Sequence, residues 1–181
     1  MKTLYMKKFE KDVNIINIGE FYATNKDEGV ATVLGSCVST CIYDKDSGIG
    51  GMNHFLIPGD FRDEEIFLSP IARFGMYAME LLMGELIKLN VDRAKLIAKV
   101  FGGANLIGGN ANIGDNNVRF IKAFLGMEGI PIQSIDVGGE IARKVFFFPK
   151  SGRVLVKKIE TNFGKIISTE DNYKKKAEMQ I

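Results

Sequence analysis

Residues 32–57 read TVLGSCVSTCIYDKDSGIGGMNHFLI, and this stretch decides the architecture. Its first part, residues 32–43, is β-branched and apolar, the composition of a strand, with Gly35-Ser36 marking a kink or bulge. Residues 44–51 collect Asp, Ser and Gly and predict a turn. Residues 52–57 predict a second strand, stopped by Pro58-Gly59. Two strands joined by a short turn make a hairpin, which sets the Cys37 segment beside the His54 segment.

Working outward, residues 13–18 read as a short strand. Ser69-Pro70 predicts a helix start, with Ser as N-cap and Pro at the first helical position. Ile71, Phe74, Ala78, Leu81, Leu82 and Leu86 follow helical spacing as far as about Leu89. Residues 95–101 predict a strand that opens into the glycine-rich FGGANLIGGNANIG. A second helix fits residues 116–125, with Val118, Ile121, Phe124 and Leu125 inward. Strands at Ile132–Val137 and 144–148 follow, and a Pro-Lys-Ser-Gly turn predicts that Arg153–Ile159 returns as a hairpin partner. Strands and helices without regular alternation predict an α+β fold. Residues 1–160 are read as a single domain and residues 161–181 as a polar C-terminal tail, its Lys174-Lys175-Lys176 a solvated end.

The 181 residues are 46% hydrophobic and 25% charged, which excludes disorder, collagen and coiled coil. The formal charge of +2 is too balanced to imply nucleic-acid binding. The first residues lack the apolar run of a signal peptide, and no stretch nears the roughly 18 apolar residues of a membrane span. One histidine excludes every site that needs two, which removes most zinc-hydrolase patterns, and no metal or cofactor is expected. On one strand, Cys37 and Cys41 stand roughly 13 Å apart at about 3.3 Å per residue. A disulfide needs Cα atoms within about 7 Å, so the two should not pair. A reduced, cytoplasmic protein is the reading.

The chemistry rests on two scarce side chains. A free cysteine is ordinarily a small core hydrophobe, and Cys41, between Thr40 and Ile42, is read that way. Cys37 follows Gly35-Ser36, where glycine lets a substrate approach and leaves backbone N–H groups to meet a developing oxyanion. A lone histidine is ordinarily a hydrogen-bonded structural residue. Yet the hairpin places His54 on the strand beside Cys37, about 4.8 Å away. A free thiol, with a pKa near 8.5, is only a few per cent thiolate at neutral pH. A neighbouring imidazole can take its proton and later deliver it to a leaving group.

The segments TVLGSCVSTCIYD, GGMNHFLIP, RFGMYAMELL, AKVFGGANL and DVGGEIARKVFFFPKSGRV, in that order, resemble the CheD family of chemoreceptor glutamine deamidases from about Ile16 to Val156. The resemblance implies an α/β/β sandwich shared with the deamidase domain of cytotoxic necrotising factor toxins. It implies hydrolysis of glutamine side-chain amides on methyl-accepting chemoreceptors, giving glutamate and ammonia. The family's nucleophile falls on Cys37 and its histidine on His54. A third member, a threonine on the preceding strand, falls on Ala31, and the adjacent Thr32 is the candidate in its place. The rival reading is a non-catalytic regulator that binds and stimulates a CheC-type phosphatase.

Two further features of the sequence invite a functional reading. Gly103 to Gly108 has the spacing of a phosphate-binding loop, but Gly109-Asn110 replaces the required Lys-Ser or Lys-Thr, which defeats a nucleotide site. The resemblance implies that the FGGA segment lies near the working face, with Phe101 and its glycines able to meet a receptor or regulator. Asn53 points away from its neighbour His54 along a strand and is expected at the surface.

Overall fold

The computed structural model describes residues 1–59, 66–106, 112–160 and 163–179. Two five-stranded sheets carry the fold. The first is built from β1 (Lys2–Met6), β2 (Lys11–Ile15), β4 (Gly29–Leu34), β9 (Ala142–Phe148) and β10 (Arg153–Ile159), in the order β1-β2-β4-β9-β10. The second contains β3 (Phe21–Thr24), β5 (Val38–Asp44), β6 (Ile49–Asn53), β7 (Ile97–Gly102) and β8 (Ile132–Val137), in the order β3-β6-β5-β7-β8. Among the described residues the α-helices are α1 (Arg73–Lys88), α2 (Ile113–Met127) and α3 (Gly164–Glu178). The α+β expectation holds.

Strand parity separates two apolar layers. On β5, Val38 and Ile42 pack with Phe55, Leu82, Phe120 and Phe124 in a layer between the second sheet and helices α1 and α2. Cys37 and Cys41 instead join Val30, Leu34, Met52 and Phe147 in a layer between the two sheets. Successive side chains of a strand point to opposite faces, so one β-branched run feeds both layers.

The hairpin of β5 and β6 is antiparallel, Cys41 facing Met52 and Asp44 facing Ile49. A further bridge joins Val38 to Phe55 in the same register. The hairpin of β9 and β10 also forms as expected, Phe148 facing Arg153. Residues 32–43, however, are not one kinked strand. β4 belongs to the first sheet and β5 to the second, and the chain crosses between them at Gly35, Ser36 and Cys37. A Cβ on Gly35 would stand 2.8 Å from both a Glu170 oxygen and a Leu106 methyl, so only glycine fits that crossing.

Two local expectations change. Ser69 makes no side-chain cap bond, and Pro70 to Ala72 form a single tight turn before α1 begins at Arg73. Pro70 supplies the helical φ, and the chain winds without the serine's help. Residues 164–178, expected within a polar tail, form helix α3. Phe163, Ile166 and Ile167 pack against Ala104, Leu106 and Ala142, and Glu170 and Ala177 are buried. Those positions recur every three or four residues, giving one inward stripe on an otherwise charged helix.

Candidate active site

Cys37 lies in the crossing between β4 and β5 and is fully buried. His54 follows β6 and is 4% exposed. In the antiparallel register set by Val38 and Phe55, His54 lies opposite Ser39 and Cys37 opposite Leu56. Cys37 and His54 therefore occupy diagonal positions on the face turned toward the first sheet, a separation of roughly 7–8 Å between backbones. The His54 backbone is pinned on its other edge, its N–H donating to Glu20 O at 2.9 Å and its carbonyl accepting from Gly19 N–H at 2.8 Å.

Thr32 meets His54 from the first sheet. It shares its parity with Val30 and Leu34, which line the layer between the sheets, whereas Ala31 points to the other face of β4. The Thr32 hydroxyl has one proton, which Ile16 O takes at 2.8 Å. Thr32 Oγ1 accordingly accepts from His54 Nδ1–H at 2.7 Å. His54 is thus held in the tautomer whose Nε2 lone pair is free, and among the described residues Nε2 has no hydrogen-bond partner. That nitrogen is not hydrogen-bonded to the Cys37 thiol.

The crossing gathers backbone donors. Gly35 N–H and Ser36 N–H donate to the Glu170 carboxylate at 3.0 and 3.1 Å, Cys37 N–H at a longer 3.4 Å, and Ser36 Oγ at 2.7 Å. Three successive N–H groups beside a buried thiol are donors of the kind an oxyanion needs. Glu170 was not foreseen from sequence. Its signal was the spacing of Phe163, Ile166, Ile167, Glu170 and Tyr173 in a segment read as tail.

Charge and burial set a neutral pair. Burial, then the charge and hydrogen bonding of Glu170, push the Cys37 thiol well above its usual range, against a smaller pull from its own N–H. Burial drives the His54 imidazole from its usual 6.5 down to about 3, the Glu20 carboxylate opposing weakly. The thiolate expected from a neighbouring imidazole is disfavoured here, because a carboxylate rather than a cation lies against the sulfur. Cys41 is buried with no such surroundings and is a core residue, and neither cysteine is bridged.

Asn117 on α2 ties the site together and was missed by the sequence reading, which took α2 only for its apolar face. Its Oδ1 accepts from Ile57 N–H at 2.8 Å, and its Nδ2 donates to Ser36 O at 3.2 Å and Ile113 O at 2.9 Å. It joins the crossing to the strand that carries His54. The FGGA segment braces the crossing from behind: Gly103 N–H donates to Cys37 O at 2.7 Å and Ala104 N–H to Gly35 O at 2.8 Å. A Cβ on Gly102, whose φ is +107°, would fall 2.2 Å from Cys37 O. Phe101 is buried in the layer between the sheets, so it supports the site from within and offers no side chain to a partner.

Asn53 is fully buried rather than exposed. It does point away from His54, donating to Ala78 O at 3.3 Å and accepting from Thr40 N–H at 3.0 Å, because the helix layer covers that face of β6. The phosphate-loop spacing starts at Gly103, but its end at Gly108, Gly109 and Asn110 lies outside the described residues. A cavity of about 580 Å³, lined by Ile16, Asn17, Thr32, His54, Ile166 and Glu170, runs between the first sheet and α3. Among the described residues, no three His, Cys, Asp or Glu side chains gather as metal ligands, and no helix is long and apolar enough to cross a membrane.

A family model described as CheD chemotactic sensory transduction matches residues 56–158. That match lies downstream of Cys37 and His54. Curated relatives cover nearly the whole chain. A protein of Methylobacillus flagellatus, named probable chemoreceptor glutamine deamidase CheD, is 46% identical over 94% of this chain and 86% of its own. Proteins of the same name from Janthinobacterium sp. (strain Marseille) and Laribacter hongkongensis are 44% and 45% identical, over 93% and 87% of this chain and 85% and 78% of their own.

Proposed function

Because this chain belongs to the CheD family, we propose that it is a chemoreceptor glutamine deamidase, acting in the cytoplasm on glutamine side chains of methyl-accepting chemoreceptors. Its three layers, helices over a sheet over a sheet, are read as the α/β/β sandwich of that family. Cys37 Sγ attacks the carboxamide carbon, and His54 Nε2 takes the thiol proton and passes it to the departing ammonia. Water, activated by the same nitrogen, then cleaves the thioester to leave glutamate and restore the thiol. The N–H groups of Gly35, Ser36 and Cys37 hold the oxyanion of both tetrahedral intermediates. Thr32 keeps the imidazole in the tautomer that makes Nε2 the base.

One observation carries this reading: the Thr32 to His54 bond leaves an unpartnered imidazole nitrogen in the same buried layer as a free cysteine. The test follows ammonia release from a receptor fragment that bears the glutamine, with wild type and Cys37→Ala compared. Release by wild type and none by the variant is expected. No release by wild type, with stimulation of a CheC-type phosphatase intact in Cys37→Ala, would give the regulatory role precedence.

A further inference from the structure

The donors that an oxyanion needs are already occupied. Three consecutive N–H groups and the Ser36 hydroxyl all point at one carboxylate, and that carboxylate comes from a residue more than 130 positions later in the chain. Glu170 is only 8% exposed, so its carboxylate is held in this cluster of donors rather than in water. Tyr173, one turn on, packs into the same layer and comes close to Gly19, beside the residue that holds the His54 N–H. Ile166 presses on Gly35 and also walls the cavity that reaches Thr32 and His54. One face of α3 thus covers the nucleophile, its donors and the edge of the base.

A glutamate carboxylate is also the product of amide hydrolysis at glutamine. We propose that the crossing at residues 35–37 is a seat for a side-chain carboxamide or carboxylate, and that α3 is a tethered occupant which holds Glu170 in it as a product mimic, shutting the site until a receptor glutamine displaces the helix. The identity of the seat rests on the deamidase reading; the shutting of the site does not. Displacement is feasible because the contact is narrow. α3 is anchored by one stripe of side chains, the rest of the helix being polar and solvated. With Glu170 withdrawn, the loss of its charge and its hydrogen bond to Cys37 removes two of the influences that keep the sulfur a thiol.

The test uses the full chain as wild type, Glu170→Ala and Ile167→Asp, the last loosening α3 without touching the seat. Alkylation by iodoacetamide is followed by peptide mass mapping, which separates Cys37 from Cys41. Both variants should alkylate at Cys37 roughly tenfold faster or more, the scale set by a lost set of charge-assisted hydrogen bonds, with Cys41 still protected. An unchanged rate at Cys37 in both variants overturns the proposal. So does exposure of Cys41 together with Cys37 in both, which would make α3 a support of the fold. Glu170→Gln reads the seat itself. Cys37 should attack the new amide carbon, ammonia leaving with the thiol proton, and water should cleave the thioester to restore glutamate with the one-dalton gain of amide to acid; adding Cys37→Ala should abolish the change. An amide that persists at position 170 while the same preparation hydrolyses receptor amides overturns the product-mimic assignment. If receptor amides are untouched as well, the deamidase reading fails and alkylation alone decides whether α3 shuts the site.

Discussion

The two apolar layers of this fold differ in what they enclose. Between the second sheet and helices α1 and α2 the packing is mainly hydrocarbon and aromatic, its buried Asn53 amide tied to Thr40 and Ala78, with Phe120 stacking edge-on with Phe55 at 5.8 Å between ring centres. Between the two sheets the packing is interrupted by Cys37, Thr32 and His54, and its margin is closed by a carboxylate on α3 rather than by an apolar side chain. A layer that is mainly hydrocarbon, with its few polar groups bonded to backbone, packs closely and supplies stability. A layer that buries a thiol, an imidazole and aligned donors gives up some stability and retains groups able to react. Chemistry and cohesion are thus assigned to opposite faces of the same sheet.

That division can be broken at several strengths. Cys37→Ala should lower ammonia release from a receptor fragment by at least about 10³-fold, while thermal unfolding stays close to wild type. Phe120→Ala should do the reverse. It removes a fully buried ring and should cost about 3–5 kcal/mol, near 10 °C in melting temperature, with the activity per folded molecule retained. Asn117→Ala sits on the boundary between the layers. It strands Ile57 N–H and Ser36 O, so calorimetry should show a loss of about 2–3 kcal/mol, and turnover should fall with it because the crossing loses its tie to the His54 strand. A defect confined to stability would show that the two layers are not coupled through α2.

Acid should reveal the buried imidazole. His54 is held neutral in the folded state, its pKa driven from 6.5 to about 3, so between those values the unfolded chain binds the extra proton. Folding is therefore weakened as pH falls through that window, by at most about 1.4 kcal/mol per pH unit, and the contribution is constant above it. Denaturant midpoints measured from pH 7 to pH 4 should drop less steeply for His54→Asn than for wild type; parallel curves would contradict a buried neutral imidazole. The smallest effect is expected of Thr32→Val, which keeps shape but removes the acceptor for Nδ1–H. Turnover should fall roughly tenfold, with the acid limb of the rate profile moved.

Much of the fold can be read locally. Strands β8 and β10, helix α2 and the β5–β6 and β9–β10 hairpins follow from turn residues and from hydrophobic period, which act over a few positions, whereas the β1–β2 hairpin was not read from the sequence. The break at Gly35 was legible as a break but not as a change of sheet, because β4 and β5 have the same β-branched composition and neither declares its neighbours. Thr32 was legible as a candidate; its reach to His54 depended on parity, and Val30 and Leu34, two residues to either side, mark which face of β4 turns inward. Glu170 and Asn117 were not legible as site residues. A glutamate on a polar helix and an asparagine on an amphipathic one look like ordinary surface until the segment 81 to 135 positions away is brought against them.

By itself the sequence determined the chemistry available: one imidazole, a cysteine after Gly-Ser, and a motif order that resembles a single family. Those follow from composition and short-range order, which no folding can change. Only the tertiary structure decided the state in which that chemistry is held. The tautomer of His54, the convergence of three N–H groups on Glu170 and the burial that keeps thiol and imidazole neutral arise between residues far apart in the chain. Electrostatic environment is set by what packs around a group and excludes water from it, and packing exists only once the sheets and α3 have closed together.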